Sequence, residues 1–297
     1  MLDLLIFLYQ YADAFALLML SAVGLVIIFG MMGIINMAHG ELMMVGAFSA
    51  AHAYHAGLWA PAAIVVGGIG SLMVGLILER LVIRFLYGRL LYSLVATWGL
   101  SLILTQGALL VLGPSAPGIP TNLGAFSVGD ISFSIYRLAL FGLAIAIVVA
   151  LWALLRFTKF GLHARATMGN AQMAQALGVD STRIYMMTFG LGSFLAGLAG
   201  ALFALTAPVQ PTFGASYTPI AFIVVVVAGA RNIIVGLTLS VIMLAFVKTA
   251  FTMEFNILAG YVAMLLAALL IIRLAPNGIS GLPRSVRLAL KSKAVRA

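Results

Sequence analysis

The stretch Gly24 to Gly46, GLVIIFGMMGIINMAHGELMMVG, decides the architecture of this chain. An apolar helix runs into a short polar knot, Asn36, His39 and Glu41 with Gly40 between the last two, and the chain then turns apolar again with almost no spacer. Polar groups in such a setting cost free energy unless they face a partner, a cavity or water. The knot is therefore a functional candidate, and the plainer alternative is an interfacial turn between two membrane helices.

Composition agrees with that setting. With 64% hydrophobic residues, 8% charged residues and 31 glycines, a soluble domain of this length would expose far too much apolar surface, whereas a membrane bundle turns that surface to lipid. The expectation is an all-α, polytopic membrane helix bundle forming a single transmembrane domain over residues 1–297. Hydrophobic segments follow one another with short gaps and no polar linker. The absence of Cys removes disulfides and thiolate metal sites. The start, MLDLLIFLYQYADAF, lacks the basic region of a cleavable signal.

Outward from the knot, about eight membrane segments are expected. Phe15 to Ile35 is long enough to span at 1.5 Å per residue, and Leu42 to Ala56 is shorter. Leu58 to Leu78, Leu91 to Leu112 and Leu138 to Leu155 span. A loop rich in Pro and Gly, GPSAPGIPTNLGAFSVGD, reads as turns. Ile184 to Leu205 follows the longest polar insert, Arg156 to Arg183. Two short apolar pieces, Ile220 to Ala228 and Ile233 to Val247, flank GARN (Gly229, Ala230, Arg231, Asn232), and Ile257 to Ile272 precedes a basic tail at about 274–297.

Cytoplasmic connections retain Lys and Arg. Placing the Arg80 to Arg89 connection, the insert and the tail inside puts thirteen of the sixteen basic residues there, with Arg137 and Lys248 outside and Arg231 within the membrane. Counting crossings back from Arg80 puts the N-terminus outside and the C-terminus in the cytoplasm. The net charge of +9 then reflects topology and anionic lipid, not nucleic-acid binding. Whether the pieces around GARN cross fully or turn back at mid-depth, parity leaves open.

In the insert, RFTKFGLHARATMGNAQMAQALGVDSTRIY, Asn170 can cap a short helix over about Ala171 to Leu177. Gly169 precedes it, Gly178 suits its stop, and Asp180 or Ser181 can cap the helix that re-enters the membrane. A short helix with small apolar knobs, Met173, Ala174 and Leu177 on one side and Gln172 and Gln175 elsewhere, with Ala171 at its start, makes sense if it docks in a groove on another protein. The alternative is an idle connector on the headgroups. The following helix, TFGLGSFLAGLAGAL, carries two lines of small residues, Ser193, Gly197 and Ala201, and Gly192, Ala196 and Gly200, which are packing devices in membranes.

Taken together, FGMMGIINMAHGELMMVGAF, FGLHARATMGNAQMAQALGVD, TFGLGSFLAGLAGAL and the tail PNGISGL resemble the LivH-like transmembrane permeases of branched-chain amino-acid ABC importers, over about Ala16 to Leu282. The Asn-x-Ala-His-Gly-Glu run at Asn36 to Glu41 and the insert are the specific motifs. The resemblance implies a bacterial inner-membrane subunit whose insert contacts cytoplasmic ATP-binding subunits. A periplasmic substrate-binding protein would deliver solute, and a second permease subunit, the same chain or a different one, would complete the path. Solutes of this family and its relatives are branched-chain amino acids, urea and short amides. One departure stands at the late hairpin, where the family usually reads Gly-Gly-x-Gly and this chain has Gly229, Ala230, Arg231, Asn232.

No GxxxxGK[ST] phosphate loop occurs, so the chain is not expected to bind ATP by that route or to act as an enzyme, and no cofactor is expected. The rival of another class, an ion-gradient-driven secondary transporter, wants membrane-embedded acids. Only Glu41 and Glu254 offer themselves, and Glu254 reads as solvated. His52 and His55, three apart, have metal-site spacing but no HExxH and no placed carboxylate, so interfacial histidines are expected and no metal. His163 reads as a solvated surface residue, and Glu79 with Arg80 as an interfacial anchor pair.

The interruptions at Asn36 to Glu41 and Gly229 to Asn232 each follow an apolar helix and precede a short piece, which suggests matched discontinuous elements from the two halves of the chain. Paired interruptions in transporters point toward the substrate path. Asn36, His39, Gly40, Glu41, Gly229, Arg231 and Asn232 are accordingly the path candidates. Arg231 is expected to face the interior, against Glu41 or free carbonyls, unless the hairpin crosses fully.

Overall fold

A computed structural model describes residues 2–121, 123–128, 131–229, 232–276 and 278–281. Ala230, Arg231 and the tail from residue 282 onward, including the expectation that Arg231 faces Glu41, lie outside the described residues. Among the described residues, seven helices are long and apolar enough to cross a membrane. They are α1 (Leu2–Met32), α3 (Ala60–Leu81), α4 (Leu90–Leu112), α5 (Ile135–Phe157), α8 (Ser181–Phe203), α10 (Ile233–Glu254) and α11 (Ile257–Leu274). Two shorter helices lie among them, α2 (His39–His55) and α9 (Phe213–Ala228). The polar insert holds α6 (Lys159–Gly169) and α7 (Ala171–Ala176). The molecule is a polytopic helical membrane bundle.

Several boundaries differ from expectation, α9 among them, which starts at Phe213 rather than Ile220. The first helix starts at Leu2 rather than Phe15, because nothing in LDLLIFLYQYADA breaks a helix, and it stops at Met32, where Gly33 turns to φ +64°. The Pro- and Gly-rich loop is not only turns: β1 (Ala125–Val128) and β2 (Ile131–Ser134) pair antiparallel with Phe126 opposite Phe133. The apolar piece expected to end at Val247 continues to Glu254, making α10 a full-length span of 22 residues.

Centrality follows small side chains. α1 and α8 are the most buried of the long helices, and α8 meets three others through glycine. A Cβ on Gly192 would strike Ile28 of α1, and one on Gly200 would strike the Met43 carbonyl of α2. One on Gly197 would strike Ser71 of α3, whose hydroxyl donates to the Ser193 carbonyl at 2.8 Å. On α1, a Cβ at Gly24 would run into the Gly192 carbonyl and come within 3.2 Å of the Ala196 nitrogen. The line Ser193–Gly197 thus faces α3, while Gly192, Ala196 and Gly200 face α1 and α2. Backbones this close gain dispersion contacts that lipid tails do not replace.

Charge divides between the two ends of the bundle. Arg156 and Arg165 share a cleft with Asn232 at one end, whereas Asp13, Arg137 and Lys248 gather at the other. At the first end Glu79 is buried and accepts the Tyr87 hydroxyl, while Arg80 is exposed, so Glu79 pairs with Tyr87 rather than anchoring with Arg80. Burial first, and then that bond, pushes the Tyr87 phenol above its ordinary pKa. Tyr87 also packs on Tyr185 of α8, with ring centroids 4.8 Å apart. This contact ties the basic connection to the helix that follows the insert.

Candidate functional site

Residues 33–38, between α1 and α2, form no helix, and their freed backbone groups find partners on α4. The Ile35 amide donates to Ser93 Oγ at 3.2 Å and the Met37 amide to Thr97 Oγ1 at 2.9 Å. Thr97 can return a bond to the Ile35 carbonyl at 3.2 Å. Thr105 donates to Glu41 at 3.4 Å. Ser93, Thr97, Ser101 and Thr105 recur every four residues, so one face of α4 is a ladder of hydroxyls along which the broken chain climbs. An interruption inside a bilayer survives only with such satisfaction from protein or a water-lined cavity.

The climb carries α2 well inside the bundle before it begins. His39 Nε2 donates to the carbonyl of Ser21 at 2.9 Å, and Ser21 lies eleven residues before the end of α1, about 16 Å of helix. That bond fixes the proton on Nε2 and leaves Nδ1 an acceptor. His39 Nδ1, Asn36 Nδ2 and Glu41 Oε2 are all buried with no partner among the described residues. Asn36 and His39 are fully buried, and Glu41 is 5% exposed. An unmade bond at a buried polar atom costs about 1–3 kcal/mol, so three such atoms within six residues are not packing material.

The second short helix starts beside the first. A Cβ on Gly40 would enter the Gly214 carbonyl and the Thr218 hydroxyl, so the first turns of α2 and α9 touch. From there α2 runs to the Asp13 end, where His55 donates to the Pro117 carbonyl at 3.3 Å, and α9 runs to the insert end. Thr212 and Ser216 are exposed in the first turn of α9, and Thr105 is half-buried, giving the outer side of this junction a polar character deep in the bundle. Two helix N-termini, each a partial positive charge, thus lie together at depth.

Gly229 and Asn232 belong elsewhere. Gly229 adopts φ +74° after α9, and Asn232 caps α10 by accepting the Val235 amide at 3.4 Å. Asn232 is exposed and lines a cleft of about 320 Å³ with Arg156, Arg165, Trp152 and Met31. This turn sits at the insert end of the bundle. It is not brought to Asn36, His39 and Glu41, and the expected match between the two interruptions fails. α10 is too long to start at mid-depth.

Sequence comparison assigns this architecture. The family described as Branched-chain amino acid transport system / permease component matches residues 7–274. The chain belongs to that family. Relatives include the probable branched-chain amino acid transport permease LivH of Methanocaldococcus jannaschii, 29% identical over 89% of each chain. LivH of Escherichia coli is 26% identical over 89% of this chain and 91% of its own. BraD of Pseudomonas aeruginosa is 27% identical over 63% and 66%. No solved structure matches.

The permease's insert is built from local caps. Asn170 accepts the Met173 amide at 3.0 Å, Gly178 stands at φ +86°, and Asp180 accepts the Arg183 amide at 3.1 Å. Gly169 and Ala171 flank the cap, Gly169 exposed and Ala171 half-buried. Of the expected docking face, Ala174 is 3% exposed and already covered by this chain. The outward side chains are Leu177, 79% exposed, and Met173. His52 donates to the Phe48 carbonyl at 2.8 Å, so it and His55 serve different partners.

The α4 hydroxyl ladder was the main omission of the sequence reading. Its four-residue repeat is legible, but only contact with residues 33–38 shows what it serves. The first turn of α9 was overlooked for want of charge.

Proposed function

We propose that this chain is the membrane-spanning permease subunit of an ATP-driven importer, and that its single domain forms part of the path for branched-chain amino acids. Family membership supports the permease role, and the buried interruption carries the placement of the path: Asn36, His39, Gly40 and Glu41 stand at mid-depth with orphaned polar atoms beside the first turns of α2 and α9. Solute passing the polar side of that junction meets Ser101 and Thr105 of α4, Thr212 and Ser216 at the start of α9 and two positive helix ends, with Glu41 just beneath them. A second permease subunit closes the other side. Gly229 and Asn232 lie at the inner mouth, and Gly192, Ser193, Ala196, Gly197 and Gly200 hold the walls.

The basic end faces the cytoplasm, following the retention of Lys and Arg there, with the N-terminus outside and the C-terminus inside an inner membrane. Hydrolysis takes place on separate ATP-binding subunits that seat Leu177 and Met173 of the insert, and a periplasmic binding protein delivers solute. Urea or a short amide is the alternative cargo.

Reconstitution tests this reading. The permease with its ATP-binding subunits and binding protein should accumulate leucine on ATP, and the permease alone should accumulate none under a proton or sodium gradient. Leu177→Asp should abolish ATP-coupled uptake while leaving the permease folded, because Leu177 is already outside the packed core. Wild-type uptake by that variant, or gradient-driven uptake by the single chain, would overturn the proposal.

A further inference from the structure

The corner where α5 leaves the membrane and α6 begins the insert is tightly made. Thr158 accepts the Gly161 amide at 3.1 Å, and a Cβ on Gly161 would strike the Leu155 carbonyl, so α6 folds straight back over the end of α5. The same carbonyl accepts a hydrogen bond from the Arg165 guanidinium, which is held there at the last turn of α5. Arg156, the next residue of α5, and Arg165 both line the cleft of about 320 Å³ that opens against the start of α10. Neither has a carboxylate within ion-pair distance among the described residues. Acids at this end are engaged elsewhere, Glu79 with Tyr87 and Asp180 with Arg183.

Away from the arginines the cleft is apolar, and its walls continue as exposed stripes toward the middle of the bilayer. Ile145, Val149 and Trp152 repeat at helical spacing along α5 and lead to Arg156, while Val235, Leu239 and Met243 do the same along α10. Trp152 and Val149 precede Arg156 by four and seven residues, about 6 and 10 Å further into the membrane. α5 and α10 both pack on α1, whose Met31 also lines the cleft.

We infer that this cleft holds one anionic phospholipid, its phosphate at Arg156 and Arg165 and an acyl chain along the exposed stripes of α5 and α10. The inference needs only that the chain spans a membrane, and it is independent of the cargo. Two guanidiniums without a counter-charge at headgroup level select a phosphate, which Arg meets with paired, charge-assisted hydrogen bonds. The stripes select a tail. A free phosphate answers the arginines alone, and so does an acidic segment of another protein, which would strand its own backbone groups at the depth of Val149. With one wall on α6 and the other on α10, the bound lipid ties the insert to the membrane bundle.

The test is native mass spectrometry of the purified full chain titrated in detergent with dioleoylphosphatidylglycerol or dioleoylphosphatidylcholine. Phosphatidylglycerol should be retained in preference to phosphatidylcholine, with one tight site per chain. Inorganic phosphate, glycerophosphoglycerol and hexaglutamate, which carry the negative charge without the tail, should not displace it. Arg156→Gln breaks no hydrogen bond within the described chain and should weaken phosphatidylglycerol binding by about tenfold or more, the loss expected for one charged hydrogen-bond partner. Arg156→Lys should retain part of it, and Trp152→Ala should weaken both lipids. The control is the double variant Arg80→Gln, Arg89→Gln, which removes more charge from the same end of the bundle but none from the cleft, and it should bind as the parent does. Equal retention of the two lipids, displacement by phosphate, glycerophosphoglycerol or hexaglutamate, or a loss in the control as large as that in Arg156→Gln overturns the inference. Elution and melting of each variant in phosphatidylcholine are matched to the parent, and if Arg156→Gln fails to fold, the lipid preference and the competition on the parent chain still decide the site.

Discussion

The two interruptions look alike in sequence and are opposites in the fold. Residues 33–38 break the bundle from within, run beside the hydroxyls of α4, and deliver Asn36, His39 and Glu41 to a buried junction. Half-buried Gly229 ends α9 at φ +74° and exposed Asn232 caps α10, both at the insert end. What separates them is the length of the helix that follows. α2 has 17 residues and starts at depth, while α10 has 22 and needs the full thickness. A polar gap between apolar runs is therefore a buried break only where a neighbouring helix offers hydroxyls to the freed amides.

The sharpest way to break this contrast is at its glycines. Gly40→Val places methyl groups where the Gly214 carbonyl and Thr218 lie, so folded complex should be lost in fluorescence-detected size exclusion and uptake should vanish. Gly229→Ala, at the other interruption, puts a side chain at φ +74°, ψ 165°, a conformation almost confined to glycine, and should cost about 1–3 kcal/mol while leaving the complex assembled. Equal damage from the two would erase the distinction.

Thr97→Val removes the acceptor for the Met37 amide and strands it. A loss of about 1–3 kcal/mol is expected in thermal unfolding, with Thr97→Ser restoring it. Were Thr97→Val silent, residues 33–38 would not depend on α4.

Glu41→Gln keeps the shape and a partner for Thr105 but removes the charge. Uptake should fall by about tenfold, equivalent to roughly 1.4 kcal/mol, with melting unchanged. A drop in melting with normal uptake per folded complex would make Glu41 structural.

The smallest effect is expected at the outer turn. Asn232→Ala should cost about 1 kcal/mol, the value of one helix cap. Position 232 also sharpens the comparison by labelling, since the native chain has no Cys. A thiol at 232 should react with a membrane-impermeant maleimide added from the insert side, and one at 36 should stay protected.

Some of this was legible in single residues. Asn170 and Asp180 announce their caps because an Asn or Asp before a short run has few better uses than the orphan amides of the first turn. Gly33, inside the opening stretch, ends α1 with a left-handed turn that a glycine in an apolar run does not announce. Met173, Ala174 and Leu177 share a side by helical spacing, but spacing does not tell which of them the rest of the insert covers; packing buries Ala174 and leaves the other two outside. The antiparallel pair Phe126 and Phe133 was hidden by a loop whose Pro and Gly content signals turns and is silent on what they connect.

Composition and period alone determined that this is a helical membrane protein, roughly where its helices run, and that two lines of small residues on α8 pack closely. Those are properties of a local run of side chains, set by transfer to lipid and by helix geometry. Only the tertiary structure decided which polar gap is buried, that α4 carries the ladder for it, that Ala174 points inward, and that Asp13, Arg137 and Lys248 share one cavity. Each of these depends on two segments distant in sequence meeting in space, and the satisfaction of a buried amide or charge is a property of the pair.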